Sequence, residues 1–221
     1  MKNPYSYCLF IPLTAKKKLR YYTRLKKAIL FLTIFLFLFS VLNAQEQKTE
    51  YKVIFHGDSV GNMLLYKNKT GDNISFSSVS NVLIHFLIKV KVVSKEESNF
   101  QSGRLMYSNV SRIVNGKEKA AKQTKAIGNT YQTTSFGKAV PSTDKLIDYN
   151  FNMLYCQEPF NKQNVYSDNF QQFLTVQQVA LHKYKVVLPD GNYNYYTFSN
   201  GICSMVELHH SFYTVYIQLN A

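Results

Sequence analysis

The stretch "GRLMYSNVSRIVNGKEKAAKQT", residues 103–124, decides the fold of this chain. Asn115-Gly116 divides it, and this dipeptide is the strongest short-range signal for a two-residue β-hairpin turn. Valine, isoleucine, threonine, tyrosine and phenylalanine are frequent throughout residues 45–221, and tryptophan is absent. Because β-branched and aromatic residues favour strands, the sequence predicts a hairpin here and β-structure around it.

Two further stretches have the same layout. "YKVIFHGDSVGNMLLYK", residues 51–67, is predicted to turn at Gly57-Asp58-Ser59, and "HKYKVVLPDGNYNYYTF", residues 182–198, at Asp190-Gly191. Turn signals recur roughly every 8 to 15 residues, a spacing typical of an antiparallel meander.

Three stretches without a clear turn signal are each predicted as strand. Residues 81–93, "NVLIHFLIKVKVV", are interpreted as one central strand, and residues 203–219 as one long last element. Residues 168–184 keep no clean helical period, so a strand is favoured over a helix. Residues 45–221 are therefore predicted to be one all-β domain, an antiparallel meander forming a strongly curved sheet, a half-open barrel or a sandwich.

The segment "KKAILFLTIFLFLFSVLNAQEQ", residues 26–47, resembles a secretory leader. Residues 16–27 contain seven lysines and arginines, and residues 28–42 after them are apolar except for Thr33 and Ser40. This run is shorter than the roughly 20 residues that a membrane-crossing helix needs. We predict a signal helix within a signal peptide, residues 1–44, that is cleaved after Ala44, and a periplasmic or secreted protein. An uncleaved inner-membrane anchor is the alternative.

The positive charge of the chain is concentrated in this leader. Residues 1–44 contain eight of the 26 lysines and arginines and none of the 13 acidic residues, which leaves 18 basic against 13 acidic residues, or +5. A basic chain suggests nucleic acid as a partner, but the remaining excess is small and scattered. We expect no nucleic acid as a partner, and we expect contact with the membrane only through the leader during export. Modest attraction to acidic envelope polymers or lipid headgroups stays open.

The pentapeptide Gly57-Asp58-Ser59-Val60-Gly61 matches the nucleophile elbow of serine hydrolases. That elbow requires a strand, a strained turn and then a helix, whereas a second strand is predicted after this turn. No Asp-x-x-His ends at His209 to supply the base of an SGNH esterase. We therefore predict no catalytic residue and no cofactor, and a serine esterase using Ser59 is the least favoured function.

Other polar residues suggest sites that we weigh against structural roles. Glu207 and His209 lie two apart on one predicted strand face, as two metal ligands can, but no further ligand can be placed, so we predict no metal site. Glu158 and Asp168 flank a loop and suit acid/base chemistry, although turn residues are the default interpretation.

Cys156 and Cys203 are the two cysteines outside the leader. A disulfide between them is one prediction, expected to stabilise the fold by about 3 kcal/mol. Two buried free thiols are the other.

The segment "NYNYYTF", residues 192–198, supplies the candidate ligand-binding residues, Tyr193, Tyr195 and Tyr196. Exposed tyrosines can stack on a sugar ring or line a lipid cavity. Alternation places Tyr193 and Tyr195 on one face and Tyr196 on the other, and cross-strand aromatic pairing explains the same residues without a ligand.

Four motifs, in this order, resemble a known family: "FQSGRLMYSNVSRIVNGK" at 100–117, "LYCQEP" at 154–159, "VYSDNF" at 165–170 and "YKVVLPDGNYNYYTFSNG" at 184–201. The family consists of exported Bacteroidota proteins with a domain of unknown function, DUF6134. The resemblance implies an envelope β protein and transfers no catalytic residue.

Three functions follow from these expectations. The first is an exported non-enzymatic cell-envelope protein whose curved sheet binds an apolar or amphipathic ligand or docks on an envelope partner. The second is a structural or interaction protein without a small ligand, and the third is the esterase. An apolar cavity of about 300 Å³ or more is the feature that favours the ligand.

Overall fold

The computed structural model describes residues 26–27, 44–85 and 89–220. The chain divides into two compact units, residues 1–43 and 44–221, and the second contains nearly all of the described residues. The predicted signal helix lies almost entirely outside them, since Lys26 and Lys27 alone are described there, both helical. Within the described part of the chain, no helix is long and apolar enough to cross a membrane.

The described residues from 44 onward form fourteen strands and one short helix. In chain order these are β1 Ala44–Phe55, β2 Asp58–Thr70, β3 Asn73–His85, β4 Lys89–Gln101, β5 Arg104–Val114, β6 Lys117–Ile127, β7 Thr130–Ser135, β8 Lys138–Val140, α1 Phe151–Cys156, β9 Asn164–Ser167, β10 Gln172–Ala180, β11 Lys183–Val187, β12 Tyr193–Ser199, β13 Ile202–His209 and β14 Thr214–Leu219.

All of these strands belong to one antiparallel sheet. Its order is β8-β7-β6-β5-β4-β3-β2-β1-β14-β13-β12-β11-β10-β9, so consecutive strands pair with each other except β8 and β9, and β1 also pairs with β14. The sheet does not close, because β8 and β9 at its two ends are not paired with each other. The predicted all-β antiparallel meander is confirmed, and it is a single open sheet rather than two stacked sheets.

The glycine-bearing corners fall close to their predicted positions. Asn115 and Gly116 both have positive φ, 49° and 76°, as the predicted two-residue turn requires. The first corner lies one residue earlier than predicted, at His56-Gly57, and β2 follows it directly. Gly191, with φ of 84°, lies between β11 and β12 as predicted.

Two predicted elements are wrong, because each was interpreted as one strand and contains parts of two. Residues 81–93 are not one strand: β3 ends at His85 and β4 begins at Lys89, and these two residues pair across the hairpin. Residues 203–219 likewise contain two strands, with the amide of His210 donating to the carbonyl of Tyr213 at 2.9 Å in the turn between them. The strand predicted in residues 168–184 is confirmed as β10.

The sheet curves around α1, which lies against strands from both of its halves. Asn150 caps the helix by accepting a hydrogen bond from the Met153 amide through its side chain at 3.3 Å. The hydroxyl of Tyr51, on β1, lies 3.2 Å from the carbonyl oxygen of Tyr155, and the side-chain amide of Asn152 donates to Ser98, on β4, at 3.3 Å. The helix thereby fills the concave side of the sheet.

Two groups of side chains complete the interior. Four buried hydroxyl residues are paired directly across β4 to β7; we call this group, which consists of Ser98, Ser108, Thr124 and Thr133, the hydroxyl row. Four buried rings come from β1, β11 and β12; we call this group, which consists of Tyr51, Tyr184, Tyr196 and Phe198, the aromatic patch.

Candidate functional site

The structure separates the three tyrosines that the sequence analysis grouped. Tyr196 is 1% exposed and belongs to the aromatic patch, where its ring lies 6.3 Å from that of Tyr155. Tyr193 and Tyr195 lie on the outer face of β12, where both are partly exposed. Because neighbouring residues of a strand face opposite ways, Tyr196 does not share a ligand surface with the other two.

The two outer tyrosines are packed among their neighbours on β11 and β13. The ring of Tyr193 is stacked on that of His209 at 4.7 Å, and the ammonium of Lys185 lies 4.3 Å from the Tyr193 ring centre. The ammonium of Lys183 lies 4.7 Å from the Tyr195 ring centre. These contacts correspond to the cross-strand pairing that was the alternative interpretation of these residues.

Glu207 and His209 share this outer face, as their spacing predicted. The Glu207 carboxylate is 2.7 Å from the Lys183 ammonium and 3.2 Å from Nε2 of His209. Burial alone raises the pKa of Glu207, but hydrogen bonds from Lys183 and His209 outweigh it and leave this pKa below its usual value. No group of three or more His, Cys, Asp or Glu residues suited to a metal ion occurs among the described residues.

Cys156 and Cys203 are both free thiols in the structure. Cys203 is buried, and its Sγ lies 3.4 Å from the carbonyl oxygen of Met205. Burial raises the pKa of Cys156 to about 11 and that of Cys203 to about 12, so neither is a reactive thiolate at neutral pH.

The two carboxylates that the sequence placed around a loop are both buried, and each has its own partners. Glu158 accepts a hydrogen bond from the Tyr184 hydroxyl at 2.8 Å and lies 3.0 Å from Nδ1 of His182. Asp168 accepts one from the side-chain amide of Asn150 at 2.8 Å. Burial raises the pKa of Asp168 to about 7. The two residues support separate parts of the interior.

Ser59 lies near the start of β2, exposed, and is paired with Ile54 on β1. The Gly57 corner leads into a strand of thirteen residues. The helix that a nucleophile elbow needs behind its serine therefore does not follow this corner.

A cleft of about 470 Å³ lies where the two ends of the open sheet approach each other. One wall comes from β6 to β8 and the segment that follows β8, and the other comes from the turn before β10 and the start of β10. We call it the seam cleft; its lining residues are Lys122, Ser135, Val140, Pro141, Ser142, Thr143, Lys145, Phe170, Gln171, Gln172 and Phe173.

Gln171 connects the two walls of the seam cleft. Its side-chain amide donates to the carbonyl of Gln123, on β6, at 2.9 Å and to that of Thr134, on β7, at 3.1 Å. Gln171 is buried and has φ of 56°. The two ends of the sheet are thus held together at this point although their strands do not pair.

The seam cleft combines positive charge with apolar rings. Lys122 and Lys145 line it, and none of its lining residues is acidic. Phe170 and Phe173 are half-buried on the opposite wall, where the Phe173 ring lies 5.4 Å from that of Tyr166.

The seam cleft was not predicted from the sequence, because its residues come from three separate segments that no local motif connects. Two smaller clefts of about 340 and 290 Å³ lie over β2 to β5. The larger of these is lined without any charged residue.

Comparison with known proteins gives a family and a fold. The family described as "Domain of unknown function (DUF6134)" matches residues 51–220. A β-barrel-like protein of domain of unknown function DUF1849 from Brucella abortus has a solved structure with a TM-score of 0.51 and 9% sequence identity, which covers 81% of this chain and 96% of that chain. Identity this low indicates a shared fold alone. None of the curated proteins matches this chain.

Proposed function

Because the chain belongs to the DUF6134 family, whose domain has no assigned function, we propose a function from the geometry. The protein is an exported, non-enzymatic protein of the cell envelope. It binds an apolar or amphipathic ligand in the seam cleft, at the open edge of its curved sheet, and not on the concave side.

The single observation that carries this proposal is where space remains in the molecule. The concave side is occupied by α1, the aromatic patch and the hydroxyl row, and Leu154 of the helix is fully buried there. The seam cleft has about 470 Å³, within the range of small-molecule sites. An internal ligand would have to displace this packed core, whereas a ligand in the cleft displaces only water.

Export is supported by the sequence of residues 26–47, with its basic lead, short apolar run and small residue before the expected cut. The resemblance to exported Bacteroidota proteins supports the same placement in the envelope.

A non-enzymatic role is supported by the engagement of the candidate catalytic groups. Glu158 is bound by Tyr184 and His182, Asp168 is bound by Asn150, and the Ser59 corner leads into a strand. The second candidate function is an interaction protein without a small ligand. The two functions differ in whether a ligand occupies the seam cleft.

Native mass spectrometry tests the proposal on protein purified after export from cells that express the full chain. We expect a bound amphiphile that organic extraction removes and that the extracted protein takes up again. In the Thr143→Trp variant the new side chain should fill the cleft, so the mass of the protein–amphiphile complex should no longer be observed. Thr175→Trp, at an exposed position of β10 outside the cleft, is the matched control and should keep it.

An apo mass for the unextracted protein, together with no uptake of added amphiphile, would overturn the proposal and favour the interaction protein. Equal binding by the two tryptophan variants would place the ligand elsewhere.

A further inference from the structure

We propose that the ligand of the seam cleft is an amphipathic anion. Its carboxylate, phosphate or sulfate group lies between Lys122 and Lys145, and its apolar part lies along Phe170 and Phe173. This inference rests on the proposed function and names the chemical class of its ligand.

The charge of the cleft is the first argument. Neither Lys122 nor Lys145 takes part in an ion pair among the described residues, whereas Lys95, Lys162 and Lys183 are each paired with an acidic residue. Lys122 is half-buried, so its ammonium is held at the cleft, and no acidic residue among those described neutralises it. An anion in the cleft supplies the missing charge-assisted hydrogen bonds.

Two acidic residues next to the lining segments in sequence do not contribute a carboxylate to the cleft. Asp144 precedes Lys145 but is exposed and does not line the cleft. Asp168 lies in the turn before β10, where it is buried and bonded to Asn150. The cleft therefore presents two cations to a ligand without a carboxylate among its lining residues.

The second argument is the apolar part of the lining. Phe170 and Phe173 are half-buried on one wall, and Val140 and Pro141 lie on the other. A free inorganic anion uses the lysines but leaves these side chains in contact with water. An anion that carries an alkyl chain or ring buries them as well, and each buried methylene adds about 0.8 kcal/mol in hydrophobic transfer.

The third argument is that the walls are already in place. The amide of Gln171 bonds to carbonyls of β6 and β7, and the Ser142 hydroxyl donates to the carbonyl of Tyr131. These bonds fix the turn before β10 and the segment after β8 relative to β6 and β7. A ligand therefore binds without having to order its site, which favours affinity.

The experiment uses protein that is expressed from the full chain and then freed of bound ligand by organic extraction. Isothermal titration calorimetry measures its binding of three probes, each below its critical micelle concentration. The probes are dodecyl phosphate, dodecanol and inorganic phosphate. We expect dodecyl phosphate to bind about tenfold more tightly than dodecanol, as one charge-assisted contact provides. Inorganic phosphate should bind much more weakly than either, and the preference for dodecyl phosphate should shrink as salt is raised.

Variants then locate the charge effect. Lys122→Gln with Lys145→Gln should reduce the affinity for dodecyl phosphate to that for dodecanol and leave dodecanol unchanged. Lys117→Gln with Lys119→Gln removes the same two charges from exposed positions of the β5–β6 hairpin and should keep the preference. Since the wild-type preference and its salt dependence are measured directly, the inference stays testable even if a variant folds poorly.

The outcomes separate this inference from the proposed function. Equal binding of dodecyl phosphate and dodecanol overturns the anionic ligand but leaves the amphiphile-binding function standing. Binding of inorganic phosphate as tight as that of dodecyl phosphate overturns the apolar half of the inference. A preference that survives the Lys122 and Lys145 changes overturns the assignment of these lysines. If neither dodecyl probe binds, both proposals fail.

Discussion

The hydroxyl row and the aromatic patch face each other across α1, and they contribute to the fold in different ways. Tyr196 of the aromatic patch packs against the helix, with its ring 6.2 Å from that of Phe151 and 6.3 Å from that of Tyr155. The members of the hydroxyl row instead bind polar groups: Ser98 accepts from Asn152, and the Thr124 hydroxyl is hydrogen-bonded to the Tyr166 hydroxyl at 3.1 Å. The aromatic patch contributes mainly large buried rings, although the hydroxyls of Tyr51 and Tyr184 also donate hydrogen bonds, whereas the hydroxyl row contributes mainly polar pairs.

This difference explains how a helix of six residues is oriented. Phe151 and Tyr155 lie four apart on one side of the helix and face the aromatic patch, while Asn152 faces the hydroxyl row. Rotating the helix would bring phenyl rings against hydroxyls and an amide against rings. A buried polar group without a partner costs about 1–3 kcal/mol, so the two sides together select one orientation.

The largest predicted effect tests the aromatic side. Tyr196→Ala removes a fully buried ring and should lower the free energy of unfolding by about 3–5 kcal/mol, measured by urea denaturation. Tyr195→Ala, one residue earlier on the outer face, is the control and should cost about 1 kcal/mol, because it loses a cross-strand pair and a cation–π contact. Similar losses in the two variants would contradict the assignment of the concave side as the core.

The next effect concerns the buried carboxyl group of Asp168. Burial raises the pKa of Asp168 from 3.8 to about 7, and the charge of Glu96 adds to this, while hydrogen bonds from Ser108 and Asn150 lower it. The folded state therefore binds a proton that the unfolded state has lost between pH 3.8 and 7. Stability should fall as the pH rises through this window, by at most about 4 kcal/mol, since one pKa unit corresponds to about 1.4 kcal/mol.

Urea denaturation of wild type and Asp168→Asn between pH 4 and pH 8 measures this dependence. The variant lacks the ionisable group and should show a flatter profile, with its largest advantage over wild type at pH 8. Asp148→Asn removes an exposed carboxylate, paired with Lys162 at the surface, and should leave the profile nearly unchanged. A wild-type profile that rises from pH 4 to pH 8, and that the Asp168 change does not alter, would refute the burial of an ionisable Asp168.

A smaller effect tests the hydroxyl row directly. Thr124→Val keeps the shape of the side chain but leaves the buried Tyr166 hydroxyl without its partner, so it should cost about 1–3 kcal/mol. Thr175→Val, at an exposed position of β10, should change the free energy of unfolding by less than about 0.5 kcal/mol. If Thr124→Val stabilised the protein, the row would act as a defect of the core and not as a set of polar pairs.

Features that are determined by neighbouring residues could be predicted from the sequence, whereas features that depend on contacts between distant segments could not. Asn115-Gly116 and Asp190-Gly191 specify turns through local backbone geometry, so the meander was predictable. The turn at residues 210–213 contains no glycine and was taken for strand, since an apolar pattern continues through it. The seam cleft was not predictable, because Lys122 and Phe173 meet only through the curvature of the whole sheet.

The hydroxyl row shows the same limitation. Ser98 and Thr133 look like solvent-facing strand residues in the alternating pattern, but both are buried. Ser98 is contacted by Asn152 of α1, and the Thr133 hydroxyl donates to the backbone carbonyls of Val140 and Pro141. The side-chain partner of Ser98 comes from the chain after β8, 54 residues away in sequence, so no local pattern could reveal it.

The smallest predicted effect tests whether α1 is held to the sheet by packing alone or also by a disulfide. Cys156 ends α1 and Cys203 lies on β13, and both are free thiols in the structure. If packing suffices, a reducing agent should change the free energy of unfolding by less than about 0.5 kcal/mol, and both thiols should react with a thiol reagent once the protein is denatured without reductant. A disulfide would instead make the oxidised protein more stable by about 3 kcal/mol and leave neither of these two thiols reactive. Cys156→Ser distinguishes the cases further: with free thiols its cost is the same with and without reductant, whereas with a disulfide the cost appears only under oxidising conditions.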